Sequence, residues 1–411
     1  MQEKELIPQL FKTEYRKIIS VLCKLFGIVH IEIAEDIAND TFLLASETWG
    51  LKGIPENPTA WLYTVAKNKT KDYFKRTKIF SEKIATEIKN TQPISHEMEL
   101  DLSEEHIKDS QLQMLFAVCN PINSNESQIA LALRILCGFG IDEIANALLS
   151  TKETINKRLY RAKNTLRENN VDMSFPSSLD LEKRLDNVLS ILYLLFNEGY
   201  YSSTSSNTIS KELCIEGMRL LYILTENDKT NVPKANALMA LFCFHSSRFD
   251  ARFDHIGRQV IYKEQDKTKW DYELIEKGET YLNLSAKGNQ ISKYHLEAGI
   301  AFWHTRIKVV EKEKWNNILQ LYNRLLQIEY SPITALNRTY ALAMAENKET
   351  ALKQALKIDL KQNHLYQSLL AELYNGLDKQ KQIEHLNLAL KLTKNENDKL
   401  LLMNKKNKAS G

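Results

Sequence analysis

From Ile141 the chain reads IDEIANALLSTKETINKRLYRAKNTL, and its apolar positions fall into two short helical stripes. Ile141, Ile144, Ala145 and Leu148 share one face of a first helix, while Ile155, Leu159, Ala162 and Leu166 share one face of a second, so the stripes can bury each other. Ser150 and Thr151 leave a turn of a few residues. Either hydroxyl can cap the second helix, and Glu153 stands near its positive N-terminal end. Such a pair has helix-turn-helix geometry, in which the second helix enters the major groove of DNA.

The same 3.6-residue spacing governs most of the chain. Residues 1 to about 78, 104 to 172, and Leu179 onward read as helices, and only 13 Gly and 8 Pro interrupt 411 residues, which predicts an all-α protein. Two stretches break the pattern. SEKIATEIKNTQPISHEMELDLSEE loses its periodicity and turns acidic, as a solvated linker does, and SFPSS at 174–178 combines Pro with Ser. The expected division is a helical bundle over 1–80, a flexible acidic linker over 81–103, the helix-turn-helix domain over 104–173 and a helical C-terminal domain over 179–400. In that last part ALKI at 355–358 returns as ALKL at 389–392. Tyr340 returns as Tyr374, and Leu336, Leu352 and Leu356 return as Leu370, Leu386 and Leu390, all 34 residues on. This is the period of helix-pair repeats of the tetratricopeptide kind, although ordinary amphipathic helices can coincide in this way.

Charge changes the picture because of where it sits rather than its sum, which is only +3. Between Lys152 and Arg167 stand Lys152, Lys157, Arg158, Arg161, Lys163 and Arg167 against the single acid Glu153, so the solvent side of the second helix is positive. Its cations can neutralise phosphates while residues of its first turn reach base edges; a solvated helix in an ordinary bundle carries the same pattern. In NPTAWLYTVAKNKTKDYFKR, Asn57 and Pro58 start a helix on which Lys67, Lys71, Lys75 and Lys78 form a cationic stripe interleaved with Tyr73 and Phe74. Aromatic rings beside cations suit single-stranded or partly melted DNA, while Trp61 and Phe74, taken singly, read more readily as core.

Ahead of it, IEIAEDIANDTFLLASETWG divides into a buried face (Ala34, Ile37, Ala38, Thr41, Leu44, Ala45) and an acidic face (Glu32, Asp36, Asp40, Glu47) with Asn39 and Leu43 among the acids. Exposed carboxylates mixed with apolar residues suit a protein partner. Five scattered cysteines with no C-x-x-C pair argue for reduced thiols in a cytoplasmic protein, without zinc. No apolar run approaches the ~20 residues of a membrane span. Asn197, Glu198, Tyr200, His245, His255 and His304 are candidates for a polar C-terminal site. The chain nevertheless lacks a Gly-rich phosphate loop, an H-E-x-x-H and a nucleophile elbow, so no enzyme and no cofactor or metal is expected. NEGYY reads as a helix end, with Gly199 at the turn.

Together these segments resemble bacterial RNA polymerase sigma factors of the sigma-70 class, extracytoplasmic-function type. AEDIANDTFLLASETW resembles the part of region 2 that docks on the polymerase clamp, and NPTAWLYTVAKNKTKDYFKR the part that melts and holds the −10 element. LKGIPEN is similar to the loop that captures a flipped base, and IDEIANALLSTKETINKRLYRAK to region 4, which reads the −35 element. ILYLLFNEGYYSS, QDKTKWDYELIEKG, KYHLEAGIAFWH and SPITALNRTYALA are similar to the tetratricopeptide-like extension of one subgroup. The resemblance implies core polymerase contacts from Asp36, Asp40, Thr41 and Phe42. It implies −10 contacts from Gly53, Asn57, Lys67, Asn68, Lys71 and Lys75, and −35 contacts from Lys152, Thr154, Asn156, Lys157, Arg158 and Arg161. The implied partners are core RNA polymerase and promoter DNA, with a regulatory protein or ligand at the C-terminal domain. Leu149 and Asn156 depart from the Gly and Lys common in the family. The alternative is a stand-alone helix-turn-helix regulator with a helical sensor or scaffold domain.

Overall fold

Helices begin where a short polar side chain precedes an apolar-periodic run. Ser103, Ser124, Thr151, Asp271, Asn347, Asn363 and Asp378 each accept a hydrogen bond from a backbone N–H of the first turn that follows, supplying a partner the helix itself cannot. The computed structural model describes residues 3–85, 100–200, 207–254, 260–307, 309–393 and 396–410, and these hold eighteen α-helices and no β-strand. They form two compact units, Met1–Leu195 and Phe196–Gly411.

The first unit contains α1 (Glu3–Phe26), α2 (Ile31–Lys52), α3 (Pro58–Ala85), α4 (Glu104–Val118), α5 (Asn125–Leu131), α6 (Ile141–Ala147), α7 (Lys152–Glu168) and most of α8 (Leu181–Tyr200). Helix α1 packs on α2 and α3, burying Tyr15, Ile18 and Leu22 with Ala34, Ala38, Phe42, Leu62 and Ala66. Truncating Ile18 or Leu22 to Ala would cost about 2–5 kcal/mol. Helix α3 is tied to α1 by the buried Glu14 carboxylate, which accepts from the Tyr63 hydroxyl at 2.6 Å and pairs with Lys17 at 3.0 Å.

The segment after Ser103 does not stand apart from this bundle. Helix α4 packs against α1, and the start of α8 is fastened to the α4–α5 corner. There Arg184 donates to the Phe116 carbonyl at 2.6 Å, and Asn187 donates to Cys119 O and Gln128 Oε1, both at 2.8 Å. The stretches 1–80 and 104–173 both fall within the compact unit that extends to Leu195. Of the expected linker, residues 86–99 lie outside the described residues. Gly199 lies in the last turn of α8, which runs to Tyr200 within NEGYY, and Tyr201 lies outside the described residues.

The second unit continues with α9 (Asn207–Thr225), α10 (Pro233–Ser246), α11 (Tyr272–Ser285), α12 (Lys293–Thr305), α13 (Glu311–Ile328), α14 (Pro332–Ala345), α15 (Lys348–Ala355), α16 (His364–Tyr374), α17 (Lys379–Leu392) and α18 (Glu396–Ser410). Each helix from α9 to α18 packs on the next. Helix α10 is buried from Ala235 to Phe244, with α9, α11 and α12 around it, which is why its sequence shows no polar stripe. At Gly278 of α11 an added Cβ would lie 2.7 Å from the Phe244 ring, so only glycine lets these helices approach so closely.

Shifted by 34 residues along the sequence, α14 overlaps α16 and α15 falls within α17. Leu336, Leu370 and Leu386 are buried and Tyr340, Leu352 and Leu390 pack against the core, whereas Leu356 is exposed. All five cysteines are buried and none is in a disulfide. Among the described residues no group of side chains could hold a metal ion and no helix is long and apolar enough to cross a membrane.

Candidate nucleic-acid interface

The turn between α6 and α7 is built from Leu148 to Thr151. Leu149 adopts φ +48°, the left-handed region, and its side chain points to solvent at 67% exposure. A residue with a Cβ is strained there by roughly 1–2 kcal/mol, and the Ser150 N–H bond to Ala145 O at 2.8 Å helps hold the chain in that bend. Thr151, not Ser150, caps α7: its Oγ1 accepts from Thr154 N at 3.2 Å. Glu143 reaches back to accept from Gly140 N at 2.7 Å, closing the start of α6.

Ile155, Leu159, Ala162 and Leu166 turn inward as expected, which leaves Lys152, Thr154, Asn156, Lys157 and Arg161 exposed and Arg158 half-buried. The first half of α7 thus presents an open cationic surface, with Lys152 paired to Asp142 at 2.8 Å and Lys157 to Glu153 at 2.5 Å. Those pairs are exposed and are worth at most about 1 kcal/mol, so phosphates can displace them.

The second half of α7 differs from the expectation. Lys163 lies 2.6 Å from the Glu35 carboxylate, which Arg134 also approaches at 3.4 Å. Arg167 pairs with Glu32 at 2.8 Å and donates to Val29 O. Two of the six cations are therefore spent on α2 and the turn before it, and Glu32 is not a free member of the acidic face. Partners more than 125 residues apart leave no periodic trace in a sequence.

On α2 the exposed face consists of Asp36, Asp40, Asn39, Leu43, Leu44 and Glu47. Asp40 is bridged to Lys69 of α3 at 3.2 Å. Two expected contact residues are not on that face. Thr41 has no exposed surface and its hydroxyl donates to Ile37 O at 2.8 Å; Phe42 is 5% exposed, with its ring edge-on to Phe11 at 5.1 Å. Leu44, expected inside, is exposed instead, because the helix turns its apolar stripe through Phe42 toward α1.

Gly53 closes α2 at φ +84°, and Asn57 caps α3 by accepting from Ala60 N at 3.0 Å, so both belong to the exposed loop that separates the helices. Along α3, Asn68, Lys71 and Lys75 are exposed and Lys67 is half-buried; the side chain of Lys78 lies outside the described residues. Lys67 joins Tyr63 and Thr64 in lining a cleft of about 430 Å³ against Leu100, Asp101 and Leu102. The Asp101 carboxyl is held below the ordinary carboxylate range, first by the Ser103 N–H and in small part by Lys67. Tyr73 and Phe74 pack on Phe26 with ring centroids 5.4 and 5.2 Å away, and Trp61 stands edge-on to Trp49 at 5.4 Å. Trp61, Tyr73 and Phe74 are each half-buried, with one side of the ring packed and part of it open.

Of the C-terminal candidates, the Tyr200 and His245 rings meet at 4.4 Å, and His304 is close enough to His245 to depress its pKa further. His255 lies outside the described residues, and among the described residues no side-chain hydrogen bond or ion pair joins Asn197 or Glu198 to this group.

Comparison with known proteins adds three findings. The Sigma-70 region 2 family matches residues 10–79, which are most of α1–α3. A family of unknown function, DUF6596, matches residues 184–286. An uncharacterized protein of Rhizobium meliloti (strain 1021) is 30% identical over 327 residues, covering 79% of this chain and 76% of the relative. No solved structure matches.

Proposed function

The chain belongs to the same family as that Rhizobium meliloti protein and carries a Sigma-70 region 2, and from this premise we propose that it is a sigma factor of the extracytoplasmic-function type with a tetratricopeptide-like regulatory extension. It binds core RNA polymerase and directs it to promoters; the polymerase performs the chemistry.

In this reading α1–α3 are region 2. Asp36 and Asp40, with Leu43 beside them, meet the polymerase, while Thr41 and Phe42 act only by fixing the pitch of α2. The α2–α3 loop around Gly53 and Asn57, with Lys67, Asn68, Lys71 and Lys75, holds the −10 strand. Region 4 is α4–α7, and Lys152, Thr154, Asn156, Lys157, Arg158 and Arg161 of α7 grip the −35 element. Each phosphate neutralised by an exposed cation releases a counterion, so affinity falls steeply with salt. Stabilising an extruded base offsets an unstacking cost of a few kcal/mol, to which one row of lysines on a rigid helix can contribute. Tyr73 and Phe74, half-buried against Phe26, leave part of each ring beside these lysines.

The observation that carries the proposal is the overlap of the Sigma-70 region 2 match with a three-helix bundle whose α2 exposes carboxylates and whose α3 exposes lysines. Run-off transcription with core enzyme and the full chain tests it: specific initiation is expected, and Asp36→Lys should abolish co-purification with core enzyme. Promoter binding that proceeds equally well without core enzyme, and no initiation with it, would instead make the chain a stand-alone regulator. Removing residues after Tyr200 tests the extension. Higher activity identifies an inhibitor, and lost activity a required element.

A further inference from the structure

The turn that follows α10 gathers positive charge in the interior of the second unit without matching negative charge. Arg248, Arg252 and Lys314 are 7, 9 and 3% exposed, and among the described residues none of them is paired with a carboxylate. The adjoining stretches YSSTSS at 201–206 and HIGRQ at 255–259 contain no Asp or Glu in their sequence.

Two tyrosine rings organise the group. Arg252 lies 3.7 Å from the Tyr200 ring centroid and donates to Tyr200 O at 2.5 Å. Around Tyr262, Arg248 lies 5.4 Å, Lys314 4.9 Å and the His304 ring 5.0 Å from the centroid, with Trp270 at 6.4 Å. Lys314 donates to the Tyr262 hydroxyl at 2.8 Å, which in turn donates to His304 O. Cation–π contact and helix-end carbonyls compensate part of the burial, but three ions without a counter-charge remain a desolvation cost that hydrophobic residues of similar size would not incur.

Unused hydrogen-bonding capacity here includes the acceptor Gln265 Oε1 and the His304 Nδ1, which can donate or accept, together with two strong donors. Arg248 Nε and Trp270 Nε1 are buried without acceptors, Arg248 makes only one long bond of 3.4 Å to the Tyr200 hydroxyl, and Lys314 has one acceptor for three protons. Unclaimed N–H groups around a positive interior are what an oxyanion requires. Two guanidinium forks and an ammonium suit a tetrahedral dianion better than a single carboxylate, because three positive charges are then met by two negative ones.

We infer that Arg248, Arg252, Lys314 and Trp270 form a binding site for a phosphoryl group, supplied either as free phosphate or as a small phosphate monoester. The site is independent of the proposed role in transcription, and the C-terminal extension would on this account respond to a small molecule.

Thermal melting of the full chain, at fixed ionic strength set with chloride, tests the site with inorganic phosphate in one arm and glycerol 3-phosphate in the other. A saturable rise in melting temperature is expected in at least one arm; saturation by the ester but not by phosphate assigns the esterified source. Arg248→Gln should weaken that binding roughly 10- to 100-fold, as loss of charge-assisted hydrogen bonds does. Lys314→Met should melt higher than the parent without ligand and no longer respond to it. The inference is overturned if neither compound saturates. It also fails if the shift is equal in Arg248→Gln, as a general salting effect would be, or if Lys314→Met melts lower with and without ligand, as a purely structural cation would require.

Discussion

Glu35 is the point where α2, the turn after α5 and α7 are electrically joined, and removing its charge is the sharpest perturbation the first unit offers. Its side chain is 14% exposed, that of Lys163 15% and that of Arg134 26%, so the group lies between a surface pair and a buried one. Exposed pairs are worth about 0–1 kcal/mol, and breaking a fully buried pair costs about 3–5 kcal/mol because a bare charge is left behind. Glu35→Gln strands two cations, one at 2.6 Å and one at 3.4 Å, and should destabilise α7 by about 2 kcal/mol. Native-state hydrogen exchange on the amides from Leu159 to Leu166 reads this directly, as roughly 30-fold faster exchange, while α13 in the second unit stays unchanged. In the double variant Glu35→Gln, Lys163→Met most of the loss should be recovered, since no unpaired ammonium remains. The measurement belongs in low salt, where screening does not hide the interaction. A coupling energy below about 0.5 kcal/mol between the two positions would show that the contact is only surface electrostatics and refute the reasoning.

Leu149→Gly should stabilise the first unit by about 0.5–1 kcal/mol in urea denaturation, the relief of left-handed strain exceeding the entropic cost of glycine, while Leu149→Ala, which keeps the Cβ, should change little. If the chain initiates transcription, Lys71→Ala with Lys75→Ala should lower permanganate reactivity of the −10 thymines more than duplex affinity; equal losses would place these lysines on duplex DNA. Arg161→Ala should reduce the salt slope of promoter binding by about one and weaken all sequences alike. In the second unit, burial first and Arg248 and Lys314 next push His304 down to about 3, and burial with Arg248, Arg252 and His304 pushes His245 well below its ordinary value. The unfolded chain therefore takes up protons first: the stability these rings contribute is fully present above about pH 6.5 and is lost as pH falls from there toward 3. Melting of the second unit should weaken by up to about 1.4 kcal/mol per pH unit for each ring, and His304→Gln should flatten that slope.

What repeats with the period of a helix was readable in the residues themselves. The stripe from Ile155 to Leu166, the cap signal at Thr151 and the echo between Leu336 and Leu370 all lie in the core or at the boundary their spacing implied. The faces of α2 are harder to read, because Phe42, Leu43 and Leu44 are consecutive and all apolar; the position of Phe11 and Tyr15 on α1 decides which one is buried. The charge pattern of α7 overstated its open surface, since Glu32 and Glu35 reach it across more than 125 residues. The aromatic rings of α3 are legible as either core or stacking surface, and against Phe26 of α1 Tyr73 and Phe74 are half-buried, with one side packed and part of each ring open. The cationic interior of the second unit leaves no local pattern, because Arg248 and Arg252 flank one short turn while Lys314 lies far along the chain in α13. Tyr200, His245 and His304 stand out in the sequence as polar residues, but the cations beside them do not.

The five buried thiols give each compact unit its own internal clock. Burial lifts Cys119, Cys214 and Cys243 to about 12 and Cys23 higher still, so almost no thiolate exists for an alkylating reagent to meet while the protein is closed. Labelling must then wait for opening. Mass tags accumulating on Cys23, Cys119 and Cys137 time the excursions of the first unit and those on Cys214 and Cys243 time the second, in one tube and with no residue altered.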